Sequence, residues 1–350
     1  MRILVVKLGA LGDVLMALPA LRLLRASLPE ANITWLIEER NARAVENCPD
    51  VDRVLRTRAD VWRKELRKAG TRREIFELVR TLRAQRFKLA LDLQGLVKSA
   101  IWARMSGAPI RVGLPANATR EALSGWFYPA RSPEARGRHV SDTLLAAARD
   151  SVRALGGTPL ESTAVEFPLT QPEREWADAT LRRLAPGRRA VLVQPGAGWV
   201  TKLWGSERFA RVASALAEHE RVKVLVTHAP SERHLAESVV TAATTDAVVP
   251  VACDVGQLAA LCARASLFVA GDTGPYHLAR VVGTPTVGLF GPTDPARNGP
   301  HLEDDPTLWA KVSCSPCYLR QCPTQVECLT AVEPDAVLRA CLSVLRKGSE

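Results

Sequence analysis

At 350 residues, with 47% hydrophobic and 24% charged residues, the chain has the length of two ordinary domains and the composition of a globular protein. No apolar run approaches the roughly 20 residues needed to cross a bilayer. The apolar N-terminal stretch is broken by Lys7 and Asp13, so it reads as a first strand and not as a signal peptide, and a cytoplasmic chain is expected. The net charge of +10 is unevenly spread, because residues 53–88 hold thirteen Lys and Arg against four Asp and Glu. That run is either a solvated helical face or an anion-binding surface. Aromatic residues make up only 5% of the chain and barely interleave with it, so no nucleic-acid partner is expected.

The first element, "ILVVK", is a short aliphatic strand followed by the glycine-rich "LGALGD" and a helical-period run, "DVLMALPALRLLRASL". Pro19 bends that helix or marks an early boundary in it. Strand, glycine turn and helix outline a dinucleotide fingerprint, but Gly9 and Gly12 have GxxG spacing and lack the GxGxxG form. Asp13 also puts a carboxylate where a pyrophosphate would lie at the helix start. The loop therefore presents Asp13 for another purpose. "ITWLIE" and "KLALDLQG" are the next strands, and Asp50 and Asp52 in "DVD" read as a turn before a strand, not as a metal site.

A second alternation begins after the polar stretch near residue 170, with strands "AVLVQPG", "KVLVTH", "SLFVAGD" and "TVGLFGP". Ser206 is expected to cap the helix of "SERFARVASALAE". The pattern predicts an α/β protein with two doubly wound parallel sheets, residues 1–170 and 171–350. Ligands of such sheets bind at the carboxyl ends of the strands, so the loops found there are expected to face a cleft.

In "GDTGPYH", Asp272 ends a strand while Thr273, Gly274 and Pro275 open a helix containing His277. The N–H groups of Thr273, Gly274 and Tyr276, with the threonine hydroxyl, can converge on an anion. Alternatively Asp272 or Thr273 is only a helix cap. Lys202, after "PGAG", either reaches a diphosphate or is a solvated loop lysine. Glu232 in "THAPSER" either accepts from a ribose hydroxyl or satisfies a helix dipole.

The collinear segments "VVKLGALGDVL", "DLQGLVKSA", "KLW", "GDTGPYHLA" and "FGPTDP" resemble the family 9 glycosyltransferases, the bacterial heptosyltransferases of the lipopolysaccharide inner core. "VWRKE" and "ATREALSGWFY" are similar to the members that add the first heptose to Kdo-lipid A. The resemblance covers essentially the whole chain. It implies a GT-B architecture of two Rossmann-like domains, the N-terminal one for the acceptor and the C-terminal one for an ADP-heptose donor. It further implies inversion at the anomeric carbon with no cofactor required for catalysis. In this resemblance Asp13 is the general base, Lys202 holds the donor diphosphate, and Glu232 contacts the ribose. Asp272, Thr273, Gly274 and His277 form the donor loop, while Arg63, Lys64 and Arg120 hold acceptor carboxylates and phosphates. The implied partners are ADP-heptose, the anionic Kdo-lipid A and the cytoplasmic leaflet of the inner membrane. Another acceptor, the second core heptose or a protein hydroxyl, is the alternative.

Four of the eight cysteines, Cys314, Cys317, Cys322 and Cys328, depart from the first-heptose pattern. Their C-x2-C start can ligate structural zinc or iron, remote from the reaction centre. A reduced, metal-free loop is the other reading, since a disulfide is disfavoured in a cytoplasmic chain. The remaining four cysteines read as core residues.

Overall fold

The aliphatic runs "ILVV", "ITWLI", "LALD", "AVLV", "KVLV", "LFVAG" and "TVGLF" all form strands. A computed structural model describes residues 1–119, 121–128, 130–131, 139–161, 164–300 and 305–347, so Arg120 lies outside the described residues. The chain divides into two units, Met1–Pro168 and Leu169–Glu350, two residues before the boundary expected at 170.

The first unit runs β1 Arg2–Val6, α1 Leu11–Leu15, α2 Leu18–Ser27, β2 Asn32–Glu38, β3 Arg53–Thr57, α3 Ala59–Glu65, α4 Ala69–Ala84, β4 Leu89–Asp92, α5 Val97–Met105, β5 Ile110–Gly113, β6 Ala130–Arg131 and α6 Val140–Ala154. Among the described residues its strands form one parallel sheet in the order β3-β2-β1-β4-β5-β6. Strand side chains alternate between faces. Leu4, Val6, Leu36 and Ala90 share a buried cluster with Trp62 of α3, Leu82 of α4 and Trp102 of α5. Ile3 and Val5 point the other way, towards the layer in which α2 and α6 pack together.

The second unit repeats the plan with α7 Gln171–Leu184, β7 Ala190–Gln194, α8 Ser206–Glu220, β8 Lys223–His228, α9 Arg233–Ala242, β9 Val248–Ala252, α10 Val255–Cys262, β10 Leu267–Gly271, α11 Gly274–Val282, β11 Thr286–Phe290, α12 Pro295–Asn298, β12 Thr307–Trp309, α13 Glu327–Thr330 and α14 Pro334–Lys347. Its parallel sheet has the order β12-β11-β10-β7-β8-β9. Each sheet therefore reverses its winding beside its own first strand, between β1 and β4 and between β7 and β10. Ligands of open α/β sheets bind at such switch points.

Three local expectations are refined. The helix after the glycine turn is two helices, and Pro19 falls in the first turn of α2, where its missing N–H costs nothing. Ser206 is not the cap of α8. Gly205, with φ of 104°, holds that position, and the Ser206 hydroxyl donates to Leu235 O. The "DVD" turn is a structural anchor, with Asp50 on Arg22 and Asp52 on Arg25 and the Ile33 N–H.

Candidate active site

Asp13 sits in the first turn of α1, at the carboxyl end of β1. Its side chain is half-buried, and no hydrogen bond or ion pair among the described residues engages the carboxylate. The loop before it is fixed from both neighbouring strands. Gln94, just beyond β4, accepts from the Leu8 and Gly9 N–H groups at 3.1 and 3.3 Å. Asn41 Nδ2 donates to Leu8 O at 3.2 Å. A Cβ on Gly9 would meet that nitrogen at 2.9 Å, so a side chain there would push the Asn41 amide from its place. Behind Gln94 lies Asp92, fully buried, which accepts from the Ser99 and Tyr128 hydroxyls and the Gln94 and Gly95 N–H groups. Burial raises its carboxyl above the usual range despite those donors. Asp92 thus shapes the turn that delivers Gln94.

The second unit assembles Lys202, Asp272 and His277 at the switch point between β7 and β10. Lys202 ends a 3-10 turn and donates Nζ to Asp272 Oδ2 at 2.8 Å and to Asp272 O at 2.9 Å. Its ammonium also lies 4.6 Å from the centre of the Trp199 ring. His277 Nε2 stands 3.1 Å from Asp272 Oδ1, and Asn298 Nδ2 reaches Asp272 Oδ2 at 3.4 Å. Burial alone would raise the Asp272 carboxyl. His277 and Lys202 overcome it and hold the group well below the usual carboxylate range. Asp272 is thereby an internal anchor: its oxygens are occupied by its own neighbours. His277 keeps a buried Nδ1 with no partner among the described residues.

The anion-binding helix start is narrower than expected. The Thr273 hydroxyl caps α11 by accepting from the Tyr276 N–H at 3.4 Å, which occupies that N–H but leaves the hydroxyl its own O–H to donate. Pro275 has no N–H, and the Gly274 amide remains, at the positive end of the helix. Glu232 is not simply a helix-start acid. Gln194 Nε2 holds its Oε2 at 3.0 Å, Thr227 in turn holds Gln194 Oε1 at 2.8 Å, and the carboxylate lies where a side chain on Gly196 would be.

Gln94, Asn41, Gln194 and Asn298 escaped the sequence reading. Gln94 and Gln194 were visible in "DLQG" and "VQPG", at strand ends; Asn41 and Asn298 carry no local signal. Arg63 and Lys64 lie exposed in the last turn of α3, apart from the loop carrying Asp13 in sequence.

The cysteine segment is not remote from this site. Cys317 and Tyr318 donate their N–H groups to Pro292 O, the Ser315 hydroxyl donates to Gly291 O, and the Thr201 hydroxyl donates to Leu319 O. It braces both the Lys202 turn and the "FGPTDP" loop. The eight cysteines are free thiols, with Cys48, Cys253, Cys262 and Cys341 buried in the core as expected. Among the described residues no three His, Cys, Asp or Glu side chains stand where one ion would be held. Cys322 Sγ instead contacts the Thr324 hydroxyl at 3.3 Å. Burial and the neighbouring Cys317, Cys314 and Cys322 thiols push the Cys328 thiol up, so the four share one neighbourhood. Because the brace runs through backbone groups, Cys314→Ser and Cys317→Ser are expected to shift stability by no more than about 0.5 kcal/mol. Chemical denaturation checks this. A larger loss, together with loss of a stoichiometric metal in elemental analysis, would overturn it.

Two doubly wound parallel sheets with polar loops at both switch points are the architecture of the GT-B glycosyltransferase class. A match to glycosyltransferase family 9 (heptosyltransferase) spans residues 75–327, and the chain belongs to that family. It is 31% identical to lipopolysaccharide heptosyltransferase 1 of Pseudomonas aeruginosa (strain PAO1), over 93% of this chain and 88% of that one. Identity to lipopolysaccharide heptosyltransferase 1 of Escherichia coli (strain K12) is 29%, over 85% and 90%. The fold is shared with the crystal structure of a family 9 glycosyl transferase from Veillonella parvula, at a TM-score of 0.82, 22% identity and coverage of 99% and 97%. The E. coli heptosyltransferase WaaC with ADP-2-deoxy-2-fluoro heptose gives 0.76 at 23% identity, covering 98% and 99%.

Proposed function

We propose that this enzyme transfers heptose from ADP-L-glycero-β-D-manno-heptose to Kdo-lipid A, with inversion and without a catalytic metal, in lipopolysaccharide inner-core synthesis. The observation that carries the reading is the contrast between two strand-end aspartates. Asp13 is half-exposed with an unengaged carboxylate, whereas Asp272 is saturated by Lys202, His277 and Asn298. A base must have a free oxygen, so Asp13 takes the proton from the acceptor hydroxyl as that oxygen bonds the anomeric carbon. The bond from that carbon to the diphosphate breaks, and the electron pair leaves with ADP. Lys202 and the Gly274 N–H offset the charge growing on the diphosphate, and Glu232 accepts from the ribose. The presence of ADP-2-deoxy-2-fluoro heptose in the E. coli WaaC structure, which has the same fold, supports this choice of donor.

The test is purified enzyme offered ADP-heptose with Kdo-lipid A and, in parallel, with an already heptosylated acceptor. Transfer to the first is expected. Transfer confined to the second, or to a protein hydroxyl, would replace the acceptor in this reading.

Lys202→Ala is expected to raise the KM for ADP-heptose and lower kcat together, because the lysine both binds the donor and stabilises its leaving group. Steady-state kinetics with each substrate varied check this, and a change confined to the acceptor KM would sink it.

An acceptor bearing Kdo carboxylates and lipid A phosphates calls for cations. Arg63→Ala with Lys64→Ala is expected to raise the acceptor KM, make it more salt-sensitive and leave the donor KM unchanged. Unaltered acceptor kinetics in the double variant would return these residues to the solvated surface. Arg120, outside the described residues, is proposed to share their role. No helix among the described residues is long and apolar enough to cross a membrane, and we place the enzyme peripherally at the cytoplasmic face of the inner membrane.

A further inference from the structure

Helix α4 buries one face and leaves the other bare. Thr71 and Leu82 are buried, and Ile75, Leu78 and Val79 pack against the cluster under β1, β2 and β4. On the outer face Phe76 is 67% exposed. At about 100° per residue, Ala69, Arg72, Arg73, Arg80 and Arg83 all lie within about 60° of Phe76 around the helix. No acidic residue falls inside that stripe: Glu74 and Glu77 are farther round. The four arginines are exposed. Arg73 is paired with Glu77 at 2.9 Å, while no ion pair among the described residues involves Arg72, Arg80 or Arg83. Arg72 and Arg83 make only backbone contacts, to Arg67 O and Met105 O.

An outward phenylalanine amid four arginines is an unusual use of a helix surface. A purely solvated face gains nothing from Phe76, and a pure anion site has no need of it. The layer around it has the same character. Val61 in α3 and Leu66 at its C-terminal end are 39% and 54% exposed, near Arg63, Lys64, Arg67 and Lys68 in the chain. Farther along the same face of the sheet, Trp126 is 85% exposed and Leu123 58%.

We propose that the Arg72–Phe76–Arg80–Arg83 stripe of α4 is the docking surface for an anionic phospholipid bilayer. The guanidiniums lie at the headgroup phosphates, and Phe76 enters the boundary between headgroups and acyl chains. Charge complementarity selects the anionic leaflet, and the protruding ring selects a bilayer over a dissolved polyanion. This deepens the membrane assignment made above and is separate from Arg63 and Lys64, which are assigned to the acceptor. It does not depend on which sugar is transferred.

The test is co-sedimentation with vesicles of phosphatidylcholine alone and of phosphatidylcholine mixed with phosphatidylglycerol, at low and high salt. The intact enzyme is expected on the anionic vesicles only, and to leave them as salt rises. Phe76→Ser is expected to weaken binding about tenfold. The Arg72→Ser, Arg80→Ser double variant is expected to weaken it about thirtyfold, at roughly 1 kcal/mol per charge. Both variants are expected to keep wild-type melting temperatures and wild-type transfer to a lipid-free acceptor. Equal binding to neutral and anionic vesicles, or variants that bind like wild type, would overturn the proposal. So would concentration-dependent self-association abolished by Phe76→Ser, which would give the stripe to a second copy of the chain. Failure of transfer in the wild-type enzyme would count against the proposed reaction and leave vesicle binding to be judged by itself.

Discussion

Asp13→Asn is expected to lower kcat by about 10²–10⁴-fold, the usual contribution of a general base, while leaving ADP affinity and thermal stability close to wild type. The carboxylate makes no hydrogen bond or ion pair among the described residues, so the isosteric amide removes its basicity and no structural contact. The supporting parts stay in place. Gln94 still holds the Leu8 and Gly9 amides, and Asn41 still packs against Gly9. Single-turnover transfer, ADP titration and thermal melting separate these effects. Near-normal turnover would remove Asp13 from the chemistry, and a large drop in melting temperature would make it a structural residue.

The central strands of both units were legible because they are buried on both faces and read as aliphatic runs, as in "ILVV" and "LFVAG". The interior β5, "IRVG", is by contrast half-buried and interrupted by Arg111. The edges were less legible. β9, "VVPVA", carries Pro250 in mid-strand, which only an edge tolerates. β12 is three residues long, too short to show a period.

The candidate site divides in the same way. Placement set by the backbone, such as Asp13 in the first turn of α1 and Thr273 before α11, was visible from strand–turn–helix punctuation. What Asp272 does was not visible, because a carboxylate that caps, binds or anchors has the same local sequence. Only the approach of Lys202 and Asn298, 70 and 26 residues away, decides it. The same limit applies to the cysteine segment. Its spacing left a metal site and a reduced loop both open, and its backbone contacts to the "FGPTDP" loop are of a kind that spacing cannot reveal.

Asp272→Ala is expected to damage both the fold and the reaction. Asp272 is 4% exposed and takes both the Lys202 ammonium and His277 Nε2. Removing one member of such a buried pair leaves the other uncompensated, which commonly costs about 3–5 kcal/mol. The Lys202 side chain is 15% exposed, so water relieves part of that cost and about 3 kcal/mol is expected. Loss of the anchor also frees Lys202 and His277 to shift, and misplacement by about 1 Å can cost about 10²-fold in rate.

Acid provides a second readout. The folded Asp272 carboxyl is held below its usual 3.8, so its contribution to stability is present above about pH 4 and is lost as pH falls towards the depressed value. The variant lacks that contribution, and its stability is expected to fall less steeply than wild type below pH 4. A double-mutant cycle with Lys202→Ala isolates the pair. Once Asp272 is absent, removing Lys202 is expected to cost much less stability than it does in wild type, with a coupling of about 1–3 kcal/mol. Strict additivity, with an unchanged acid limb, would mean that Asp272 does not anchor Lys202 and would return the carboxylate to the set of groups available for donor contact.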